Sequence, residues 1–455
     1  MTADPASLVV LGASGDLTER LLLPGLASLL AGEGTRPLQL LGTGRSERGQ
    51  DEWRDTVRKA FDDAGATGSE AAAVLDSTEY LQADPTEKED LQRLLDACTG
   101  APILYFALPP TITMKVCAVL EELELPEGTF LALEKPFGSD SESAAELNRQ
   151  LVRIVPEERI FRIDHFLGTD TVLNLLGLRF ANRLFEPVWN AGNIDRVEIT
   201  YDEDLALEGR AAYYDSAGAL VDMIQSHLLQ VLAVFAMEPP ASLDPADLRS
   251  VMAQVLRATE VQGGDPVAAS RRARYTQATV DGEDVPSYTD EEGVDPSRNT
   301  ETLAEVTFAV QNRRWAGVPF VLRSGKALKS NRKNIVVTFA PVPSLPRGLK
   351  GHAQPDRMVI DLKQHTVELE LTMNGSEDPF TLEQASLRTE LRGADLTPYG
   401  EVLRGILHND PTLSVRADVA ERCWRIVEPV LDAWREDRVP LDEYPAGSDG
   451  PSSWS

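Results

Sequence analysis

The sequence predicts an α/β Rossmann domain followed by an α+β domain with a large, mainly antiparallel sheet. Three observations predict it. Apolar runs alternate with helical stretches through the first third of the chain. A glycine-rich turn joins the first run to the first helix. Beyond about residue 165, stretches that alternate apolar and polar cluster together.

Taken in order, Ser7–Leu11 is an apolar run closed by Gly12 and reads as a buried parallel strand. The turn Ala13-Ser14-Gly15-Asp16 leads into a helix over 21–30, with Pro24 tolerated near its first turn. Leu38–Leu41 is a second strand ending at Gly42-Thr43-Gly44-Arg45, and 51–64 is helical. Pro102–Leu108 is a strand, Met114–Glu122 a helix, and Thr129–Leu133 a strand that runs into Glu134-Lys135-Pro136-Phe137-Gly138. Later, 195–200, 303–309, 335–339, 358–362 and 366–372 alternate as half-exposed strands do. The acidic stretch 276–301 reads as a surface loop or weak hairpin, and the Gly, Ser and Pro of the last ten residues as a flexible tail. The expected organisation is a nucleotide domain over 1–165, a substrate and oligomerisation domain over 166–445, and a tail over 446–455. A chain of 455 residues is long enough for two cores, since one domain takes about 100–200.

Composition narrows the function. The net charge of -29, from 73 acids against 44 bases, repels nucleic acid and anionic lipid, so neither is expected as a partner. It also means that any anionic ligand needs cations gathered at its site. No apolar run approaches the roughly 20 residues of a membrane helix, and the first residues carry no basic leader. Three cysteines, Cys98, Cys117 and Cys423, without a CxxC or Cys/His cluster, point to free thiols in a cytoplasmic protein with no structural metal.

Two features suggest chemistry directly. Gly12, Ser14, Gly15, Asp16 and Leu17 lie where a strand enters a helix, the place where a pyrophosphate meets free backbone N–H groups. Taken alone the spacing also suits a tight turn. Arg45 follows the second strand, where an arginine suits the 2′-phosphate of NADP and an acid would suit NAD.

Gly12-Ala13-Ser14-Gly15-Asp16-Leu17-Thr18-Glu19-Arg20 resembles the nucleotide turn of glucose-6-phosphate dehydrogenases. Glu134-Lys135-Pro136-Phe137-Gly138, Arg162-Ile163-Asp164-His165-Phe166-Leu167-Gly168 and 178–182 are similar to further motifs of that family. So are 221–230, Glu208-Gly209-Arg210, Arg323-Ser324-Gly325-Lys326 and 446–448, all in one order along nearly the whole chain. The resemblance implies NADP-dependent oxidation of a pyranose C1 hydroxyl to the 1,5-lactone, glucose 6-phosphate being the family default, with NAD possible and no metal. It implies that His227 is the base and Asp164 its orienting carboxylate. Lys135 would lie between sugar and cofactor, and Pro136, after a cis bond, would fix the nicotinamide end. His165, Glu203, Asp222, Lys326, Arg332 and Tyr399 would hold the sugar, and the active form would be a homodimer or homotetramer. By helical spacing alone, His227 reads first as a core histidine.

The chain departs from the family at one end of the substrate. Phe166 stands for the usual tyrosine and Thr169 for a lysine; Leu21 and Asn331 occupy places where cations are usual. Weakened or altered recognition at C6 is therefore expected. The alternatives are the same chemistry on a sugar with another group at C6, or a catalytically weak NADP-binding regulatory paralogue.

Overall fold

The computed structural model describes residues 5–32, 37–207, 211–280 and 282–454. The chain divides into two compact units. One comprises Met1–Asp170, Pro240–Ser250 and Ala394–Arg422; the other comprises Thr171–Pro239, Val251–Gly393 and Cys423–Ser455.

In the first unit, six parallel strands run in the order β3-β2-β1-β4-β5-β6. They are β1 (Ala6–Leu11), β2 (Leu38–Gly44), β3 (Glu79–Gln82), β4 (Ala101–Phe106), β5 (Phe130–Glu134) and β6 (Ile160–Ile163). Every residue of β1 is buried, as a central parallel strand covered on both faces requires. Alternate side chains serve opposite faces. Leu8, Val10, Ile103 and Tyr105 pack with helices Leu23–Ala31, Gln50–Asp63 and Pro398–His408. Val9, Leu11, Leu104 and Phe106 pack with helices Lys88–Asp96, Pro110–Leu120 and Ser141–Ile154. This is the doubly wound order, with its switch point between β1 and β4.

The expected boundary at 165 therefore needs correction, because the first unit also takes in 240–250 and 394–422. Long-range contacts hold the later segment. Val415 N–H donates to the Arg162 carbonyl at 2.9 Å, and Asn148 Nδ2 donates to Glu421 at 2.9 Å. Gly25 lies so close to the 398–408 helix that a Cβ there would stand 2.6 Å from Tyr399 Cβ. No local pattern announces such pairings.

The second unit holds a ten-stranded mixed sheet. Its strands are β7 (Ile194–Asp202), β8 (Thr259–Val261), β9 (Ser270–Thr276), β12 (Leu303–Val310), β13 (Pro319–Gly325), β14 (Lys333–Phe339), β15 (Arg357–Asp361), β16 (Thr366–Asn374), β17 (Leu382–Glu390) and β18 (Leu441–Pro445). The order is β17-β16-β15-β14-β7-β13-β12-β9-β18, with β8 also on β12. Only β7–β13 and β9–β18 pair in parallel, so the expected mainly antiparallel sheet is present. Ala278–Val280 and Glu283–Val285 form a small hairpin, β10 and β11, within the acidic stretch. That stretch is not all surface, since Tyr288, Thr300 and Glu301 are buried.

Two further expectations change. The helical stretch Tyr213–Ala236, interrupted at Gly218, is by length and composition apolar enough to cross a bilayer, with a mean hydropathy of 1.5, but its most apolar part is 83% buried within the protein. The last residues form no loose tail: Trp454 Nε1 donates to Asp442 at 2.7 Å, and Arg271 lies 4.7 Å over the Trp454 ring. An aromatic ring with a cation on its face and a partner for its N–H gains more from docking than a polar tail does.

Candidate active site

The nucleotide-binding half is built at the C-terminal edge of the parallel sheet. β1 ends at Leu11, and Gly12 turns with φ 93°. A Cβ on Gly12 would stand 2.3 Å from the Ala107 carbonyl oxygen, so only glycine fits. The backbone N–H groups of Gly12 and Ala13 donate to the Thr43 carbonyl at 3.0 and 2.8 Å. Ser14, Gly15 and Asp16 are left exposed where the turn enters helical residues that begin at Asp16. Gly44 closes the floor, where a Cβ would stand 2.9 Å from the Tyr80 hydroxyl and 3.3 Å from Ser14 Oγ. Arg45 follows with an exposed side chain, while Gln82 Nε2 holds its carbonyl at 2.9 Å. A cradle no side chain can enter, a helix start and a cation past the second strand fit a phosphorylated dinucleotide.

At the end of β5 the Lys135–Pro136 bond is cis, as the resemblance implied, and Lys135 is half-buried. Glu134 just before it receives the Tyr105 hydroxyl at 2.5 Å, and the Tyr399 hydroxyl also acts on this carboxyl. Burial pushes the Glu134 carboxyl up to about 7, against the opposing pull of Tyr105 and Lys135. Burial and the adjacent carboxylate raise both tyrosine hydroxyls above their ordinary range. The Tyr399 ring stacks on His165, with centroids 5.2 Å apart and planes at 20°. Phe166 meets His165 edge-on at 5.0 Å. Asp164, fully buried, caps this short turn by accepting the Phe166 N–H at 3.0 Å.

In the second unit, His227 and Asp222 share the wide π-helical segment Leu220–Leu228, a geometry often found at functional positions. His227 is 1% exposed, Asp222 is half-buried, and the Tyr213 hydroxyl reaches Asp222 at 3.4 Å. Lys326 pairs with Glu203 at 2.5 Å and lies 5.2 Å over the Tyr214 ring. Asp202, at the end of β7, is buried and takes both Arg323 at 3.2 Å and Arg332 at 2.8 Å. Asn331 Nδ2 donates to Asp204 at 3.0 Å.

The structure thus joins Glu203 to Lys326 and sets Lys135 one residue from the carboxyl on which Tyr399 acts. Tyr399 is 4% exposed, and its ring backs His165. Arg332 pairs with Asp202, a buried acid at the end of β7 that needs a counter-charge. Glu208-Gly209-Arg210 lies outside the described residues. Sequence reasoning missed Glu134, Asp202 and Glu301 as organising acids. Glu134 stood inside a motif already singled out; Asp202 and Glu301 gave no local signal.

Two family descriptions match the chain: glucose-6-phosphate dehydrogenase, NAD binding domain, over residues 9–174, and glucose-6-phosphate dehydrogenase, C-terminal domain, over residues 176–455. The glucose-6-phosphate 1-dehydrogenase of Mycolicibacterium smegmatis is 37% identical, covering 98% of this chain and 94% of its own length. That of Rhizobium meliloti is 35% identical, covering 99% and 95%. The crystal structure of the Mycobacterium avium enzyme superposes with a TM-score of 0.84 at 32% identity, covering 99% of this chain and 96% of that one. A glucose-6-phosphate dehydrogenase in complex with its substrate glucose-6-phosphate gives 0.86 at 29% identity, with the same coverage.

The raised Glu134 carboxyl has a consequence for stability. An acid whose pKa is higher in the fold than in the unfolded chain loses its contribution as pH climbs from the ordinary value near 4.5 towards about 7. Gln at this position does not titrate. The stability of Glu134→Gln relative to the wild type is therefore expected to improve by about 1–3 kcal/mol between pH 5 and pH 8, read from denaturant midpoints. A pH-independent difference contradicts the assignment.

Proposed function

The chain belongs to the glucose-6-phosphate dehydrogenase family, and from that premise we propose that it oxidises the C1 hydroxyl of a pyranose, glucose 6-phosphate foremost, to the 1,5-lactone with NADP. It is a nicotinamide-dependent dehydrogenase. The observation that carries the finer reading is that Lys135, Asp164 and His227 all stand in family motifs, a set that a mere nucleotide-binding subunit does not need.

His227 takes the C1 hydroxyl proton as general base, a role histidine commonly fills. Asp164 acts on the ring as its orienting carboxylate and favours the imidazolium that forms. A bound nicotinamide supplies the acceptor for the hydride that leaves C1. Gly12, Ser14, Gly15, Asp16 and Leu17 hold the pyrophosphate, Arg45 the 2′-phosphate, and Lys135 and Pro136 the nicotinamide end. His165, Glu203, Asp222 and Lys326 hold the sugar, the carboxylates accepting its hydroxyls. His227→Asn is expected to lower kcat by several orders of magnitude with NADP affinity nearly unchanged. Near-normal turnover in that variant removes the base from His227. Arg45→Ala is expected to weaken NADP far more than NAD, measured as separate KM values; equal losses mean the arginine does not read the 2′-phosphate.

A second reading, weak recognition at C6, is favoured by the fate of the cations. Arg332 is held by Asp202, and Asn331 faces Asp204. Thr169 lies 3.5 Å from the His165 carbonyl with no charge to offer, and Leu21 is 43% exposed. One charged hydrogen bond contributes about 1.5–3 kcal/mol. Thr169→Lys should accordingly lower the KM for glucose 6-phosphate by about 10–100-fold. A wild type with micromolar KM for glucose 6-phosphate and no activity on neutral sugars would refute weakened recognition.

We also infer a homodimer or homotetramer formed through the second unit, in a cytoplasmic setting. Edge strand β17 is exposed at eight of its nine positions, and Phe380, Leu387 and Met373 are 59%, 62% and 55% exposed. An unpaired strand edge beside apolar side chains favours a covering partner. A purely monomeric mass by light scattering at micromolar concentration rules this out. The three free thiols suit a reducing compartment, and burial pushes Cys117 up to about 12 and Cys98 to about 11.

A further inference from the structure

Helix Ala211–Ala219 is broken at Gly218, whose φ of 66° and ψ of 174° interrupt the helical path. The segment Leu220–Leu228, with Asp222 and His227, starts afresh after the break. Its register is therefore not inherited from the helix before it. A helical slip of one residue moves a side chain by about 1.5 Å along the axis and about 100° around it. Something outside the segment has to set its start.

The buried carboxyl of Glu301 does so. Its Oε1 accepts the Leu220 N–H at 2.9 Å, and its backbone carbonyl accepts the Ala219 N–H at 3.3 Å. The carboxyl fills the notch at Gly218, where a Cβ would stand 2.4 Å from Oε1 and 2.7 Å from Oε2. The chain leading to Glu301 is fastened to the preceding helix. The Tyr288 hydroxyl donates to Asp215 at 2.7 Å, and the Thr300 hydroxyl donates to the Asp215 carbonyl at 2.7 Å. The next residue is tied to the other side of the site. The Thr302 carbonyl accepts the Lys326 N–H at 2.9 Å, and the Tyr444 hydroxyl holds the Lys326 carbonyl at 2.6 Å. Adjacent residues thus fix the start of the His227 segment and the backbone of the lysine that grips Glu203.

We propose that Glu301 is a positioning residue for the reaction: its carboxyl in the Gly218 notch sets the register of the segment carrying Asp222 and His227 against the strand end carrying Lys326. Glu301 touches neither sugar nor cofactor in this scheme. Its effect on rate passes through His227 and so rests on the reading of that residue as the base. Misplacement of a catalytic group by about 1 Å costs on the order of 100-fold in rate.

The test compares Glu301→Gln, Glu301→Asp and Glu301→Ala in the full chain. Gln keeps an acceptor at the right distance and is expected to hold kcat within about three-fold. Asp keeps the charge but falls one methylene short, and with Ala is expected to lower kcat by about 10–100-fold while NADPH binding, followed by fluorescence, stays unchanged. Hydrogen exchange read by mass spectrometry gives an activity-free measure: Asp should lose protection across 219–228 and little elsewhere. Wild-type kcat in Glu301→Asp, or unchanged exchange in 219–228, overturns the proposal. His227→Asn assayed in parallel separates the two ideas. If it stays active the base assignment falls, and the exchange data alone decide whether Glu301 sets the segment. If it is inactive while Glu301→Asp is normal, only the positioning role falls.

Discussion

Taking a carboxylate out of water costs several kcal/mol unless donors replace the lost solvent, and that requirement shapes both halves of the site. Asp164 meets it with the Phe166 N–H and thereby fixes the turn that carries His165. Glu134 meets it with the Tyr105 hydroxyl of β4, and feels the Tyr399 hydroxyl of the 398–408 helix as well. Glu301 meets it with a backbone N–H, and Asp202 with two guanidiniums. Each acid is satisfied only in one arrangement of the elements around it. The donors that lower the burial penalty are thus the groups that define the geometry.

Not all of these acids do the same electrostatic work. Asp202 sits between Arg323 and Arg332 in a compact ion cluster. Glu134 and Glu301 lack an arginine at contact distance, and burial moves both up to about 7. Near neutral pH they are balanced between charged and neutral forms, and either form can still accept a hydrogen bond. Geometry is retained across that change, whereas the local field is not. This suits residues whose contribution is to hold a ring or a helix start in place.

The parallel sheet was legible because its central strands are buried on both faces, which leaves continuous apolar runs such as Leu8–Leu11. β3 and β6 were not legible, since four residues bounded by polar neighbours carry too little periodicity. The return of 394–422 to the first unit was invisible for another reason: Asn148 meets Glu421 across 273 positions, and no local signal encodes a partner that remote. The same limit governs the site. Residue types and spacing exposed Gly12 and Arg45 as candidates, and the family resemblance implied roles for Lys135, Asp164 and His227. They could not show that Arg332 is already engaged by an acid 130 positions away, or that the Tyr399 hydroxyl acts on Glu134. Burial and pairing are properties of the fold, not of the local sequence.

The allocation of cations matters more here than in a neutral protein. With a formal charge of -29, the long-range field opposes the approach of phosphorylated ligands, though salt screens it beyond about 8 Å at physiological strength. Attraction must come from groups close to the ligand that are not already neutralised. Arg323 and Arg332 share Asp202, and Lys326 is paired with Glu203, so these cations add rigidity and little net potential. Arg45 lies exposed beyond β2, and Asp84 senses its charge as a weaker influence beside its bond to Thr86. Positive charge is accordingly richer beside the glycine turn and β2 than along the strand ends of the second unit, where Arg323, Arg332 and Lys326 are each tied to an acid.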